Sequence, residues 1–136
     1  MNYSANLLKI LGIKLATVLM EKRKHSEEKL FQSIILQAFE DVLPPSVSKT
    51  ETYFKIDAYD WFTKKPKDYM TICWLAGLDP DVVSERVNFL IKNKIISFTE
   101  KQKKWNLYRI LYKAYRSVKT PGERRLIMIK INKLKN

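Results

Sequence analysis

The stretch Tyr69-Met-Thr-Ile-Cys-Trp-Leu-Ala-Gly-Leu-Asp-Pro-Asp-Val-Val-Ser-Glu-Arg-Val-Asn-Phe-Leu-Ile-Lys92 decides how this chain folds. Gly77 is suited to end a helix in a left-handed turn. Asp79-Pro80 is a helix start, with Asp79 as N-cap and Pro80 at the first helical position. The spacing predicts helix, tight bend, helix. Ile72, Cys73 and Ala76 precede the bend, Leu78 and Val83 lock the second helix, and Val87, Leu90 and Ile91 continue its buried stripe. A bend this tight sets the helices at a steep angle and exposes the outer face of the second, the layout of a helix-turn-helix. The motif spans 67–92 and is carried by Cys73, Ala76, Gly77, Leu78, Asp79, Pro80, Val83, Ser84 and Asn88. Two features fit a DNA reader poorly. Arg86 stands where such motifs bury an apolar residue. The outer face offers Asp81, Ser84, Glu85, Asn88 and Lys92, and acids leading a helix repel phosphate.

Helical periodicity continues on both sides of the bend. Leu7, Leu8, Leu11, Leu15, Val18 and Leu19 predict a first helix capped by Ser4, weakened at Gly12 by about 1 kcal/mol. Met20 to His25 is a polar break. Ser26 caps a second helix, with Glu27 and Glu28 in its first turn and a stripe of Leu30, Phe31, Ile34, Ile35, Ala38, Phe39 and Val42. Pro44-Pro45 stops it. Ser48-Lys-Thr-Glu51 is a capping box opening a third helix, on which Phe54, Ala58, Trp61 and Phe62 share one face. Pro66 starts the helix before the bend, with Met70, Cys73 and Trp74 inward.

Beyond the bend, Ile95 to Phe98 has strand character. Trp105, Tyr108, Leu111, Tyr112, Tyr115 and Val118 then repeat at helical spacing. Thr120-Pro-Gly-Glu123 is a second capping box, before a helix carrying Leu126, Ile127, Ile131 and Leu134. A winged hairpin over 95–110, with Lys101, Lys103 and Lys104 at its tip, is the alternative; the spacing from Trp105 to Val118 favours a helix. The expected fold is all-α, a compact multi-helix domain with a helix-turn-helix-like core and basic C-terminal helices. Residues 1–100 form the body and 101–136 a basic extension of the same domain.

The stretches Gln37-Ala38 with Asp41, Ala58-Tyr-Asp-Trp61-Phe62 and Ile72-Cys-Trp-Leu-Ala-Gly-Leu-Asp-Pro-Asp-Val82 resemble a group of small proteins encoded by phages and prophages of bacteria. Those proteins share an alanine–tryptophan helix followed by a cysteine, leucine-alanine-glycine, leucine-aspartate-proline bend. The resemblance covers roughly residues 30–92. It implies a helix-turn-helix-like core and a phage setting, and leaves the basic extension outside.

Charge supplies the functional clue. Residues 101–136 hold twelve Lys/Arg and one acid, Glu123, whereas 1–100 hold fourteen Lys/Arg and thirteen acids. A near-neutral body with a net +11 extension points to a polyanionic partner, nucleic acid (DNA before RNA) first and an anionic membrane surface second. The expected contacts are Lys101, Lys103, Lys104, Arg109, Lys113, Arg116, Arg124, Arg125, Lys130 and Lys133, with the tyrosines of the sixth helix largely on the opposite face. The expected roles are a phage-type regulator or a packaging factor resembling a small terminase subunit, acting as a homo-oligomer in the cytoplasm of a bacterial or infected cell. The alternative is a virion or phage–host interaction protein whose extension docks on an acidic protein.

Other classes find little support. The single cysteine, Cys73, cannot form an intrachain disulfide or a cysteine zinc cluster, and fits a reducing compartment. His25 is the only histidine. No phosphate-binding glycine loop or nucleophile–base pair occurs, so no enzyme, cofactor or metal is expected. Leu7 to Met20 is interrupted by Lys9 and Lys14 and is too short to span a bilayer, so no membrane partner is expected.

Overall fold

Turn and cap residues punctuate this chain into helices. The computed structural model describes residues 5–20 and 26–135, with side chains at 9–20 and 27–135. Among the described residues there are seven helices and no strand: α1 (Ala5–Leu19), α2 (Ser26–Asp41), α3 (Lys49–Lys64), α4 (Lys67–Leu75), α5 (Pro80–Lys92), α6 (Glu100–Ser117) and α7 (Pro121–Lys135). The fold is all-α, as the sequence predicts. The Ser4 and Ser26 caps and the polar break ending at His25 lie outside the described residues and side chains. The chain divides into two compact units, 1–44 with 54–97, and 45–53 with 98–136.

In the first unit, Leu11, Leu15 and Leu19 of α1 meet Ile35, Leu36 and Phe39 of α2, Ala58 and Phe62 of α3, Tyr69 and Cys73 of α4, and Val83, Val87 and Leu90 of α5. Gly77 has φ +77°, a region L side chains rarely adopt. The Leu78 N–H donates to the Cys73 carbonyl at 2.9 Å and the Gly77 N–H to that of Trp74 at 3.0 Å, the paired bonds of a Schellman motif. Asp79 then caps α5, accepting from the Asp81 N–H at 2.9 Å, with Pro80 in the first turn.

Arg86 has a structural role that the sequence does not reveal. Gly12 is non-helical (φ +77°, ψ 168°) and kinks α1, so the glycine breaks the helix instead of merely weakening it. The break frees carbonyls at the end of the first segment. Arg86 donates from Nε to the Ile10 carbonyl at 2.6 Å and from Nη2 to that of Lys9 at 2.8 Å. Its guanidinium also lies 4.7 Å from the Phe89 ring centroid. The buried position thus passes to Val87 because Arg86 is needed as a carbonyl donor.

Several side chains fall elsewhere than expected. Met70 and Trp74 are exposed, and Tyr69 fills the α4 core position beside Cys73. Phe54, Leu30, Ile34 and Leu126 are also exposed. Ser84 is buried, its hydroxyl 3.1 Å from that of Tyr69, so it leaves the outer face of α5. Ile95 to Phe98 forms no strand. The Ile95 N–H donates to the Leu90 carbonyl at 2.9 Å and the Lys94 N–H to that of Ile91 at 3.1 Å, a second Schellman turn with Lys94 left-handed at φ 59°.

Lys55 is fully buried on α3, yet donates to the carbonyls of Pro44 at 2.9 Å and Ser97 at 2.6 Å. Burial lowers its pKa from the ordinary 10.5.

In the second unit, Thr99 and Gln102 form a reciprocal capping box that starts α6 five residues before Trp105. This excludes the winged hairpin and puts Lys101, Lys103 and Lys104 in the opening turns of a helix. Gln102 is buried and also donates to the Ser46 carbonyl at 3.1 Å, while Trp105 Nε1 donates to that of Val47 at 3.0 Å. These two bonds tie 45–48 to α6. Helix α7 packs along α6 and buries Ile131.

The turns can be checked by urea unfolding. Gly77→Ala should cost about 1–2 kcal/mol, because a left-handed Ala is strained; its Cβ would also come within 2.8 Å of Glu28 Oε1. Lys94→Gly should stabilise by about 1 kcal/mol for the converse reason. Lys55→Met tests the buried ammonium. A depressed folded-state pKa means that the unfolded chain binds more protons, so this lysine's contribution to stability rises with pH toward 10.5 and falls as pH drops through the folded value. The stability difference between wild type and Lys55→Met should shift toward wild type between neutral and alkaline pH.

Candidate nucleic-acid interface

Helix α6 builds the candidate site from its own periodicity. Trp105, Tyr108, Tyr112 and Tyr115 recur every three or four residues and form a continuous ridge. Successive ring centroids are 5.6, 4.7 and 6.4 Å apart. Arg109, Lys113 and Arg116 lie one helical step round from Tyr108, Tyr112 and Tyr115. Sequence spacing alone predicts these cations and tyrosines largely on opposite faces. Instead, Tyr108 and Tyr112 line one groove together with Arg109, Lys113 and Arg116, and the start of α3 adds Lys49 and Tyr53. The groove holds about 500 Å³. Tyr108 also lines an adjoining recess of about 160 Å³ with Lys101, Lys104, Trp105, Leu134 and Lys135.

The cations are held against the rings. Lys49 Nζ lies 5.3 Å from the Tyr108 centroid and 5.9 Å from that of Tyr53. The Arg109 guanidinium is 4.8 Å from Tyr53, Lys101 is 5.3 Å from Trp105, and Lys135 is 5.9 Å from Tyr108. Such contacts position a cation without neutralising it. Burial raises the Tyr53 phenol pKa, opposed by Arg109, and a hydrogen bond with Tyr108 raises that of Tyr112. Both phenols are therefore neutral at pH 7, and no acid lines either recess. The second unit holds thirteen Lys/Arg against Glu51, Glu100 and Glu123, a net of +10.

The expected contact residues separate into two sets. Lys101, Lys104, Arg109, Lys113 and Arg116 converge on the trough. Lys103 pairs with Glu100 at 3.3 Å, and Arg124 Nε donates to the Val118 carbonyl at 3.1 Å. Arg125, Lys130 and Lys133 are exposed on α7 and line neither recess. Lys49, Tyr53 and Lys135 join the trough without having been expected. Lys135 carried a visible signal, its place on the basic last helix. Lys49 and Tyr53 carried none, since they are distant in sequence.

The α4–α5 motif offers a different surface. Cys73, Ala76, Leu78, Pro80, Val83 and Ser84 are buried, Gly77 forms the bend and Asp79 the cap. Of the motif residues expected to carry the reading, Asn88 is exposed on the outer face of α5, beside Asp81, Glu85 and Lys92. Burial pushes the Tyr69 phenol up to about 12 and the Cys73 thiol up to about 11. Among the described residues no three His, Cys, Asp or Glu side chains converge to hold a metal, and no helix is long and apolar enough to cross a membrane.

Compared with known protein families, with curated proteins and with solved structures, the chain matches none.

A thiol this buried and this weakly acidic should be inert in the folded protein. At pH 8 a thiol-specific disulfide reagent should label Cys73 only upon unfolding in urea; rapid labelling of the native protein would contradict the placement of α4.

Proposed function

We propose that this chain is a nucleic-acid-binding protein whose second unit supplies the binding surface. One observation carries the reading. Seven cations (Lys49, Lys101, Lys104, Arg109, Lys113, Arg116 and Lys135) line two adjoining recesses that contain no acid. Side chains held in that arrangement release counterions when they neutralise phosphates, which gives affinity with steep salt dependence. The α4–bend–α5 motif serves as scaffold in this reading, because its outer face leads with Asp81 and Glu85. The phage setting, and a role in transcription or DNA packaging as a homo-oligomer, rest on the resemblance of residues 30–92 and belong to the same proposal.

A second reading draws on a different observation. Leu107 and Ile110 of α6 and Leu126 and Ile129 of α7 are all about half exposed or more, and apolar side chains left open on both helices suit a protein contact. Under it the chain is an interaction protein of a virion or phage–host complex, docking on an acidic partner.

Binding to labelled duplex DNA, single-stranded DNA and RNA at several salt concentrations separates the two. With seven phosphate contacts, log K against log salt should fall with a slope of about −5 on single strands or about −6 on duplex. Lys113→Gln with Arg116→Gln should weaken binding across all sequences and make the slope shallower by about 1.4 to 1.8. No binding to any of the three at low salt rejects the nucleic-acid reading and leaves the protein partner.

A further inference from the structure

We propose that the nucleic acid taken by this trough is single-stranded, its bases stacking on Tyr108 and Tyr112 and its phosphates lying along Lys104, Lys113 and Arg116. This rests on the nucleic-acid reading above and specifies its substrate class. The shape of the site favours a single strand. The cations rim a groove of about 500 Å³ whose wall is aromatic. A duplex presents phosphates on a rigid convex surface and keeps its base faces stacked inside, so it gains nothing from those rings. A single strand offers the faces of its bases, and each base stacked on an aromatic ring adds affinity without regard to sequence.

The continuity of the rings favours it too. Tyr108 lines both recesses, and its ring lies 5.6 Å from Trp105 and 4.7 Å from Tyr112, so the aromatic strip has no gap where the recesses meet. All three rings are half-buried, which holds them in place and leaves part of each open. From Lys101 to Arg116 a helix rises about 22 Å, the length of about six nucleotides at the 3.4 Å rise of a stacked strand.

The chemistry of the lining points the same way. Neither recess contains Asn, Gln, Asp or Glu. The side chains that read adenine or cytosine edges are therefore missing from it, while those that hold phosphate and stack on bases are present. The geometry is that of a sequence-tolerant single-strand platform.

The test uses the full chain with a labelled single strand of about 12 nucleotides, longer than the trough, and the duplex of the same sequence. The single strand should bind at least about tenfold more tightly. Tyr108→Ala should weaken single-strand binding about 5- to 150-fold and leave duplex binding within about twofold, whereas Tyr108→Phe should retain both. Lys113→Gln with Arg116→Gln should weaken both forms. Single strands should quench tryptophan fluorescence in the wild type and much less in Trp105→Phe. Circular dichroism and Tm check folding; if Tyr108→Ala does not fold, Tyr112→Ala must show the same selective loss. Preference for the duplex, or equal losses on both forms in the tyrosine variant that folds, overturns the single-strand assignment while leaving nucleic-acid binding intact. Absence of binding to either form rejects the nucleic-acid reading itself and this inference with it.

Discussion

The hydrogen bond from the Leu78 N–H to the Cys73 carbonyl turns the chain between α4 and α5, and the first unit is organised around that turn. The bond requires Gly77 to be left-handed, and a glycine backbone lets other elements approach closely. Helix α2 uses the opening. Gln32 Nε2 donates to the Ala76 carbonyl at 2.8 Å, and Glu28 Oε1 lies only 2.8 Å from where a Cβ on residue 77 would sit. Across the turn, the Tyr69 hydroxyl meets the Pro80 carbonyl at 3.0 Å and the Ser84 hydroxyl at 3.1 Å, fastening α4 to the first turn of α5. Buried polar groups without partners cost about 1–3 kcal/mol each, so these bonds help specify one packing arrangement.

What could be read from the sequence follows the range of the interactions. Gly77, Asp79-Pro80, Ser48 with Glu51, and Thr120 with Glu123 act within a few residues, and they locate helix ends correctly. The same local logic was available at Thr99-Glu-Lys-Gln102, where a capping box starts α6 before its aromatic periodicity begins. Long-range partners were invisible. No pattern around Arg86 shows that its guanidinium is spent on carbonyls exposed by a kink at Gly12, and nothing around Lys55 marks it as buried. Face assignment failed for a related reason. Met70 and Trp74 are apolar and one helical turn apart, but Tyr69 and Cys73 hold the core side of α4. Periodicity identifies a helix more securely than it identifies the neighbours of each face.

The candidate site shows the same division. Segregation of charge to the C-terminal helices was plain in the sequence, and half of the expected cations do converge on the trough. Its aromatic lining depends on helical geometry combined with Lys49 and Tyr53 from a distant segment. The expected separation of cations and tyrosines treated each face of α6 as a flat plane. On a helix, residues one step apart are offset by about 100°, so a neighbouring element can gather both kinds into one groove.

Electrostatics then links the composition of the second unit to its proposed role. Lys101, Lys103 and Lys104 occupy the opening turns of α6, where the positive end of the helix dipole disfavours cations by about 0.3–1 kcal/mol each at low ionic strength. Only Glu100, paired with Lys103, offsets them within that turn. The unit also buries few apolar side chains completely; Ile131 is one, while Leu107, Ile110, Leu126 and Ile129 are about half exposed or more. A thinly buried unit carrying a net +10 sustains self-repulsion that a neutral one would not. A polyanion laid along the trough relieves that repulsion, and a ligand that binds only the folded form stabilises it by about 2.7 kcal/mol at a hundred times its Kd. On the proposed reading, the charge that repels itself in the free unit is the charge that gives its complex affinity, so binding and the folding stability of this unit are thermodynamically linked.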